Sequence, residues 1–357
     1  MSPANPAGPS LAPPATRRFL FLQGPTNFLF AKVAARLRAS GHEVRRIHFC
    51  VGDRLFWRGG GAVAYRGTLA DWPAFIAGFL DEHAITDLLL LGEKRAYHQV
   101  AIAAARERSI AVSVTDFGYL RPDWIAIERD GLNGESRFPR DPAAILALAE
   151  GLPEPDRVVR FPHRALNQAL WDMAFHLSTA FFPWPFPHFR RHTLNHPVAT
   201  YLGTGWRLAR QGIESRRAAR VMEAVRSRGP YFVFAMQMED DFSLRAYSRF
   251  PDLDAALGEA IASFARHAPA AASLVCKLHP LDPGRKDWRA RIAGIAAAAG
   301  AAGRVSFVDG GDLDALLRGS AGLVTVNSTA GLRAIELRLP VVALGEAVYA
   351  IPGLAFG

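Results

Sequence analysis

The chain has 357 residues, half of them hydrophobic by count, with two cysteines and a formal net charge of +9. That length and apolar content exclude a disordered polypeptide or a disulfide-stapled miniprotein and imply two domains with buried cores. Cys50 and Cys276 lie in separate apolar stretches and read as reduced core residues, while the basic balance favours nucleotide sugars, acidic glycans, phospholipid headgroups or nucleic acid without choosing among them.

Residues 1–16, rich in Pro, Ala and Ser, predict a disordered tail and carry no secretion signal. FLFLQG (19–24) predicts a buried strand, residues 26–40 a helix closed by Gly41, HEVRRIHF (42–49) a second strand and ITDLLLLG (85–92) a third. An alanine-rich helix over 96–108 and the strand IAVSVTDFG (110–118) follow. Strands separated by such helices imply right-handed βαβ units and a parallel sheet. The rhythm breaks over 141–228, where aromatics, prolines and arginines crowd FFPWPFPHFRRH (181–192). It resumes with YFVFAMQ (231–237), SLVCKLHP (273–280), RVSFVD (304–309), GLVTVNS (322–328) and LPVVALG (339–345).

The expected fold is therefore α/β: two Rossmann-like domains over 17–140 and 229–357, joined by a helical, aromatic-rich connector over 141–228. This is the layout of the GT-B glycosyltransferases and of the nucleotide-sugar epimerases, so architecture alone does not fix an activity. The longest apolar runs fall short of the roughly 18 residues that span a bilayer. A cytoplasmic protein is expected, with peripheral attachment to the inner membrane open.

Ligands of open parallel sheets bind beyond the carboxyl ends of the strands, which selects four places. In VTVNSTAGLRAIEL (324–337), Asn327 ends a strand and Ser328 or Thr329 caps the next helix. That cap is either a phosphate site or ordinary capping, and Glu336, about two turns on, either reaches a ribose or is solvated. In CKLHPLDPG (276–284), His279 is placed to bond a phosphate or protonate a leaving group. The alternative is a loop histidine fixed by Pro280, with Lys277 adding charge. In TDFGYLRPDWIAIE (115–128), Asp116 is a candidate nucleophile or base, or a turn cap. Arg121 pairs either with a donor's carboxylate or with Asp123. In MQMEDDFSLRAYS (236–248), Glu239, Asp240 and Asp241 suggest a metal or a helix start, the latter favoured. Gln237 and Arg245 are candidate substrate contacts there, Ser243 is a candidate N-cap, and no metal site is predicted. QGPTNFLF (23–30) lacks the dinucleotide fingerprint, and no P-loop, GxSxG or HExxH motif occurs, which argues against kinases, common hydrolases and zinc peptidases.

Those segments, together with FLFLQGPTNFLFAKVAARLRASGHEVRRIHFCVGDRLFW, YRGTLADWPAFI and VNSTAGLRAIELRLPVVALGEAVYAIPGL, resemble the KpsC/KpsS family of capsular polysaccharide proteins over residues 18 to 355. The resemblance implies a retaining transferase that moves β-Kdo, or a related acidic sugar, from CMP-Kdo to a phosphatidylglycerol-based acceptor, with no cofactor beyond the donor. It implies that the amino-terminal domain faces the acceptor and the carboxyl-terminal one the nucleotide. His279, Ser328 and Thr329 then serve the CMP, and the carboxylate before Gly118, here Asp116, serves the reacting sugar. Relatives carry consecutive acids at that turn, whereas Phe117 follows Asp116 here; they also continue with helices beyond AIPGLAFG, so a shortened second domain is expected.

Two competing readings stand beside this one. One is a non-catalytic capsule-assembly subunit that binds the CMP-sugar or the acceptor; the other is a UDP-sugar enzyme of the same architecture. Nucleic acid is not an expected partner, because no aromatic-basic platform or recognition helix appears. Other capsule-assembly proteins are. In the connector, Phe161, Trp171, Phe181, Phe182, Trp184, Phe186 and Phe189 lie among His163, Arg164, Arg190 and Arg191. They form either a membrane-facing patch or packing between the domains.

Overall fold

The computed structural model describes residues 16–119, 124–154, 158, 165–191, 193 and 195–357. The tail predicted over 1–16 thus falls almost wholly outside the described residues, as do Arg121, Asp123, Phe161, His163 and Arg164.

The first sheet comprises β1 (Arg18–Phe21), β2 (Glu43–His48), β3 (Ala62–Ala64), β4 (Asp87–Leu91), β5 (Ala111–Phe117) and β6 (Ile125–Arg129), in the order β3-β2-β1-β4-β5-β6. Leu20, Phe21, Leu88, Leu90, Val112 and Val114 are buried in its central strands, as continuous apolar runs covered on both faces require. Its helices are α1 (Leu29–Ala39), α2 (Val51–Leu55), α3 (Trp72–Glu82) and α4 (Ala96–Glu107). The first of these begins three residues later than the predicted 26. Asn27 Oδ1 accepts from the Leu29 N–H at 2.9 Å, and the Asn27 N–H bonds the Pro25 carbonyl at 2.7 Å, holding 25–28 as a turn. Gly41 ends that helix at φ +82°, the left-handed position glycine was expected to fill.

Two strands went unread. The first, β3, is only three residues of Ala and Val behind a glycine run. The second, β6, pairs antiparallel with β5, Asp116 opposite Ala126, because the connection between them is too short for a parallel crossover. Gly118 is needed at its start: a Cβ there would lie 2.2 Å from the Trp124 carbonyl oxygen.

The connector holds α5 (Pro142–Ala149), α6 (Ala165–Phe181) and α7 (Pro197–Arg228). α6 packs on α2 of the first domain and α7 on the second sheet, so the pair clamps both. Its aromatics divide. Phe186 is 3% exposed, Phe189 stacks on Tyr97 at 6.0 Å, and Trp171 meets Phe28 and Phe56 edge-on, so these belong to packing. Phe181, Phe182 and Trp184 are exposed, Trp184 at 67%.

The second sheet, β7 (Tyr231–Ala235), β8 (Ser273–Lys277), β9 (Val305–Val308), β10 (Gly322–Thr325) and β11 (Val341–Ala343), is parallel in the order β11-β10-β7-β8-β9. Between these strands run α8 (Phe242–Ala246), α9 (Leu253–His267), α10 (Trp288–Ala298), α11 (Leu313–Leu317) and α12 (Ala330–Glu336). Asp252, Asp287 and Asp312 each cap the helix they precede. Phe356 returns to the edge beside β11, its carbonyl accepting from Ala343 N–H at 2.7 Å. The α/β architecture of two Rossmann-like sheets is thus present as expected, and strand order reverses between β1 and β4 in one and between β7 and β10 in the other.

Candidate functional site

At the carboxyl edge of the first sheet, Asp116 is half-buried near the end of β5, and its Oδ1 accepts from the Phe117 N–H at 2.7 Å. Phe117 itself is 46% exposed. Two residues past β4, Glu93 is buried, and burial raises its carboxyl to about pKa 7, with Glu135 and Asp116 pushing the same way and Lys94 opposing. An acid of that strength beside another carboxylate is the arrangement that separates an ionised group from a protonated one near neutral pH. Arg95 follows; its guanidinium donates to Gln23 Oε1 at 2.6 Å, and burial lowers it to about pKa 10 against the attraction of Asp53 and Asp116.

The second sheet's carboxyl edge is arranged differently. Gln237 and Asn327, buried after β7 and β10, bond each other twice: Gln237 Nε2 donates to Asn327 Oδ1 at 2.8 Å, and Asn327 N–H to Gln237 Oε1 at 3.0 Å. Asn327 Nδ2 also donates to the carbonyls of Ser243 (2.6 Å) and Tyr247 (3.2 Å). Gln237, a candidate substrate contact, and Asn327, a candidate nucleotide contact, thus have their side-chain polar atoms engaged with the framework. Thr329 holds the N-cap position of α12 without a capping bond; Ser328 Oγ caps Ala330 N–H at 3.2 Å and the Ser328 carbonyl takes Gly331 N–H at 2.9 Å. Those two amides are therefore already bonded within the turn. Glu336 pairs with Arg333 at 2.8 Å in the last turn of α12, about 9 Å of helix rise from Ala330.

His279 follows β8, and its Nδ1 accepts from the Leu281 N–H at 3.1 Å, which leaves the neutral ring's proton on Nε2. Pro280 is exposed, and its carbonyl accepts from Arg207 at 3.2 Å. Lys277 is buried; desolvation lowers its pKa while Asp309 raises it. Arg245, a candidate substrate contact, is exposed and lies over the Phe242 ring at 5.5 Å. Arg121 lies outside the described residues. Of the three successive acids, Asp241 caps α8 through Ser243 N–H at 2.8 Å, the role expected of Ser243. Glu239 pairs with Lys286, and Asp240 Oδ2 accepts from Asn195 Nδ2 at 3.2 Å. No group of three potential metal ligands is assembled among the described residues.

The two edges meet through Tyr247, which leads out of α8. Its hydroxyl donates to Glu93, its ring lies 4.8 Å from Lys94 Nζ, and its carbonyl is held by Asn327 Nδ2 and by Glu346 N–H. Arg140 adds a second tie, donating to the Ala347 carbonyl at 2.7 Å. Glu93 and Asn327, far apart in sequence, are thus linked through one residue, Tyr247. Reading the sequence missed Glu93, Arg95, Gln23 and Tyr247. A signal for the first three was available: Gln23 closes the strand FLFLQG and Glu93-Lys94-Arg95 follows LLLLG, both at ligand edges.

Comparison with known proteins gives consistent relatives. The capsule polysaccharide biosynthesis protein family model matches residues 86–356. The capsule polysaccharide export protein KpsS of Escherichia coli is 29% identical over 346 residues, covering 95% of this chain and 87% of that one. The capsule polysaccharide modification protein LipB of Neisseria meningitidis serogroup B is 30% identical over 350 residues, covering 95% and 83%. Among solved structures, the Thermosulfurimonas dismutans KpsC β-Kdo 2,7 transferase aligns over 95% of this chain and 82% of its own, with TM-score 0.46 and 15% identity.

Proposed function

We propose that this chain, which belongs to the capsule polysaccharide biosynthesis protein family, is a retaining glycosyltransferase acting on a membrane-bound acceptor. The donor in this reading is CMP-Kdo or the CMP ester of a related acidic sugar, and the acceptor is a phosphatidylglycerol-based lipid at the inner membrane. The observation that carries it is the buried Glu93 carboxyl, raised to about pKa 7 by burial and held where Tyr247 ties the two sheets, on the same sheet edge as Asp116. Asp116 serves as nucleophile or base toward the sugar, and Glu93, with a pKa of about 7, moves the proton. His279, presenting Nε2–H, and the turn at Ser328 and Thr329 face the nucleotide's phosphate. Lys277, buried behind them, supplies positive charge.

Membrane attachment is assigned to the exposed aromatics Phe181, Phe182 and Trp184. No helix among the described residues is long and apolar enough to cross a bilayer. A non-catalytic capsule-assembly role is the second reading, favoured by exposed Phe117 standing where the family resemblance implies a second acid. Release of CMP from CMP-Kdo, measured with and without a phosphatidylglycerol acceptor, decides between them. Acceptor-stimulated release supports the transferase, and CMP-Kdo binding without release supports the subunit.

A further inference from the structure

The long connector helix α7 is seated on the loop that carries His279. At Gly203 the helix backbone runs so close to this loop that a Cβ would lie 2.3 Å from the Pro283 carbonyl oxygen. At Gly284, held at φ +68°, a Cβ would lie 2.7 Å from Arg207 Cδ. Beside these contacts a single guanidinium, on a side chain 16% exposed, makes four bonds. Arg207 Nη2 donates to Asp309 Oδ1 at 2.6 Å and Nε to Asp309 Oδ2 at 3.2 Å, a two-pronged grip on the carboxylate that follows β9. Its Nη1 donates to the carbonyls of Pro280, at 3.2 Å, and of Asp282. The same turn is also closed from within. The His279 carbonyl accepts from Asp282 N–H at 3.1 Å, and His279 Nδ1 accepts from Leu281 N–H at 3.1 Å. The buried Asp282 carboxylate takes Gly284 N–H at 2.8 Å and Trp288 Nε1–H at 3.3 Å.

We propose that Arg207 is a positioning residue for His279: from the connector it fixes the turn whose shape sets the tautomer and the direction of the imidazole. The inference rests on the nucleotide-binding role given to His279 above for its effect on donor affinity only. Leu281 N–H reaches His279 Nδ1 while residues 279–282 keep their turn, and Arg207 holds two carbonyls of that turn, at 280 and 282. A guanidinium suits the task because its planar fork presents five donors, enough for a carboxylate on one edge and two carbonyls on the other. The ammonium of a lysine concentrates three donors at one point and does not span both. The helix does not need this arginine to stay on the second domain, since Ala218, Met222 and Val225 of α7 are buried in that core. The bonds of Arg207 therefore serve the loop. They also bear on Lys277: desolvation lowers the pKa of this buried ammonium, Asp309 raises it and Arg207 lowers it again. By gripping Asp309, Arg207 fixes the counter-charge of the lysine that lies behind His279.

The test reads His279 itself. The full chain with isotope-labelled histidine is examined by NMR as wild type, Arg207→Lys, Arg207→Gln and Arg210→Gln, with His279→Gln used to assign the ring signal. Calorimetry with CMP is run on the same samples, and thermal melting shows which variants fold. The wild type is expected to show a neutral His279 ring protonated at Nε2, and both Arg207 variants a mixture of tautomers. Arg210→Gln, which removes an exposed charge from the same helix, should keep the wild-type pattern. CMP should bind both Arg207 variants more weakly by roughly tenfold or more, the scale of one charge-assisted hydrogen bond. The lysine variant keeps the charge, so a mixture there assigns the effect to geometry. Asp309→Asn, nearly isosteric, loosens the same grip without altering α7 and is expected to move His279 in the same direction; it decides the matter if the arginine variants do not fold. An unchanged His279 tautomer in the folded variants overturns the inference. The nucleotide reading fails separately: no CMP binding by the wild type, or CMP affinity indifferent to a shifted His279, removes that role from His279 and leaves Arg207 as the residue that sets its tautomer.

Discussion

The carboxyl edges of the two sheets answer the same geometric demand in opposite ways. At the second edge Gln237, Asn327 and Ser328 bond one another or the backbone, and Tyr247 and Glu346 are tied in through their main chain. At the first edge Glu93 keeps a raised pKa, His98 Nε2 lacks a partner among the described residues, and Arg95 faces a cavity. Groups held under electrostatic or hydrogen-bonding tension are the ones with something left to give a substrate. A polar residue after a strand is therefore a site candidate only once its partners are counted.

The comparison breaks first at Asn327. Asn327→Ala leaves Gln237 and several carbonyls without a buried partner and should cost about 2–4 kcal/mol in chemical denaturation. A cost below about 1 kcal/mol would show that the second edge is not framework. Glu93→Gln tests the other side through pH. The folded protein holds the Glu93 proton up to a pKa of about 7 against the ordinary value of 4.5. This group's stabilising contribution is therefore complete below the lower value and is lost as pH rises through the upper one. Glu93→Gln removes that loss, so its unfolding free energy relative to wild type, measured by chemical denaturation, should rise between about pH 5 and pH 8 by on the order of 3 kcal/mol. A constant difference would return Glu93 to ordinary carboxylate behaviour.

Smaller effects sharpen the picture. Ser328→Ala removes one cap from a seven-residue helix and should cost about 1 kcal/mol. Replacing Phe181, Phe182 and Trp184 together by Ala should leave stability within about 0.5 kcal/mol per site, because all three are exposed. The same variant should sediment less with phosphatidylglycerol vesicles; unchanged sedimentation would remove the membrane role.

Much of the fold was legible because apolar runs such as FLFLQ and DLLLL can only be covered strands, and Gly41 marks where a helix stops. Pattern could not supply β3 or β6, one too short and the other paired by the length of its connection. Asp116, His279 and Ser328 are candidates because they follow or end predicted strands. The bond between Gln237 and Asn327 was not legible for the same reason, since strand position says nothing about who bonds whom across ninety residues of sequence. Glu93 was passed over because a lone Glu after Gly92 looks solvated until Tyr247 of the other domain closes over it.

The account's central claim is that the reacting sugar is handled at the first edge and the nucleotide is bound at the second. The most direct test is Asp116→Asn, nearly isosteric, assayed side by side for CMP affinity by calorimetry and for CMP release from CMP-Kdo with a phosphatidylglycerol acceptor. The account predicts unchanged CMP affinity and a turnover reduced by about 10²–10⁴-fold. Turnover near that of the wild type, or loss of CMP binding along with activity, would contradict it.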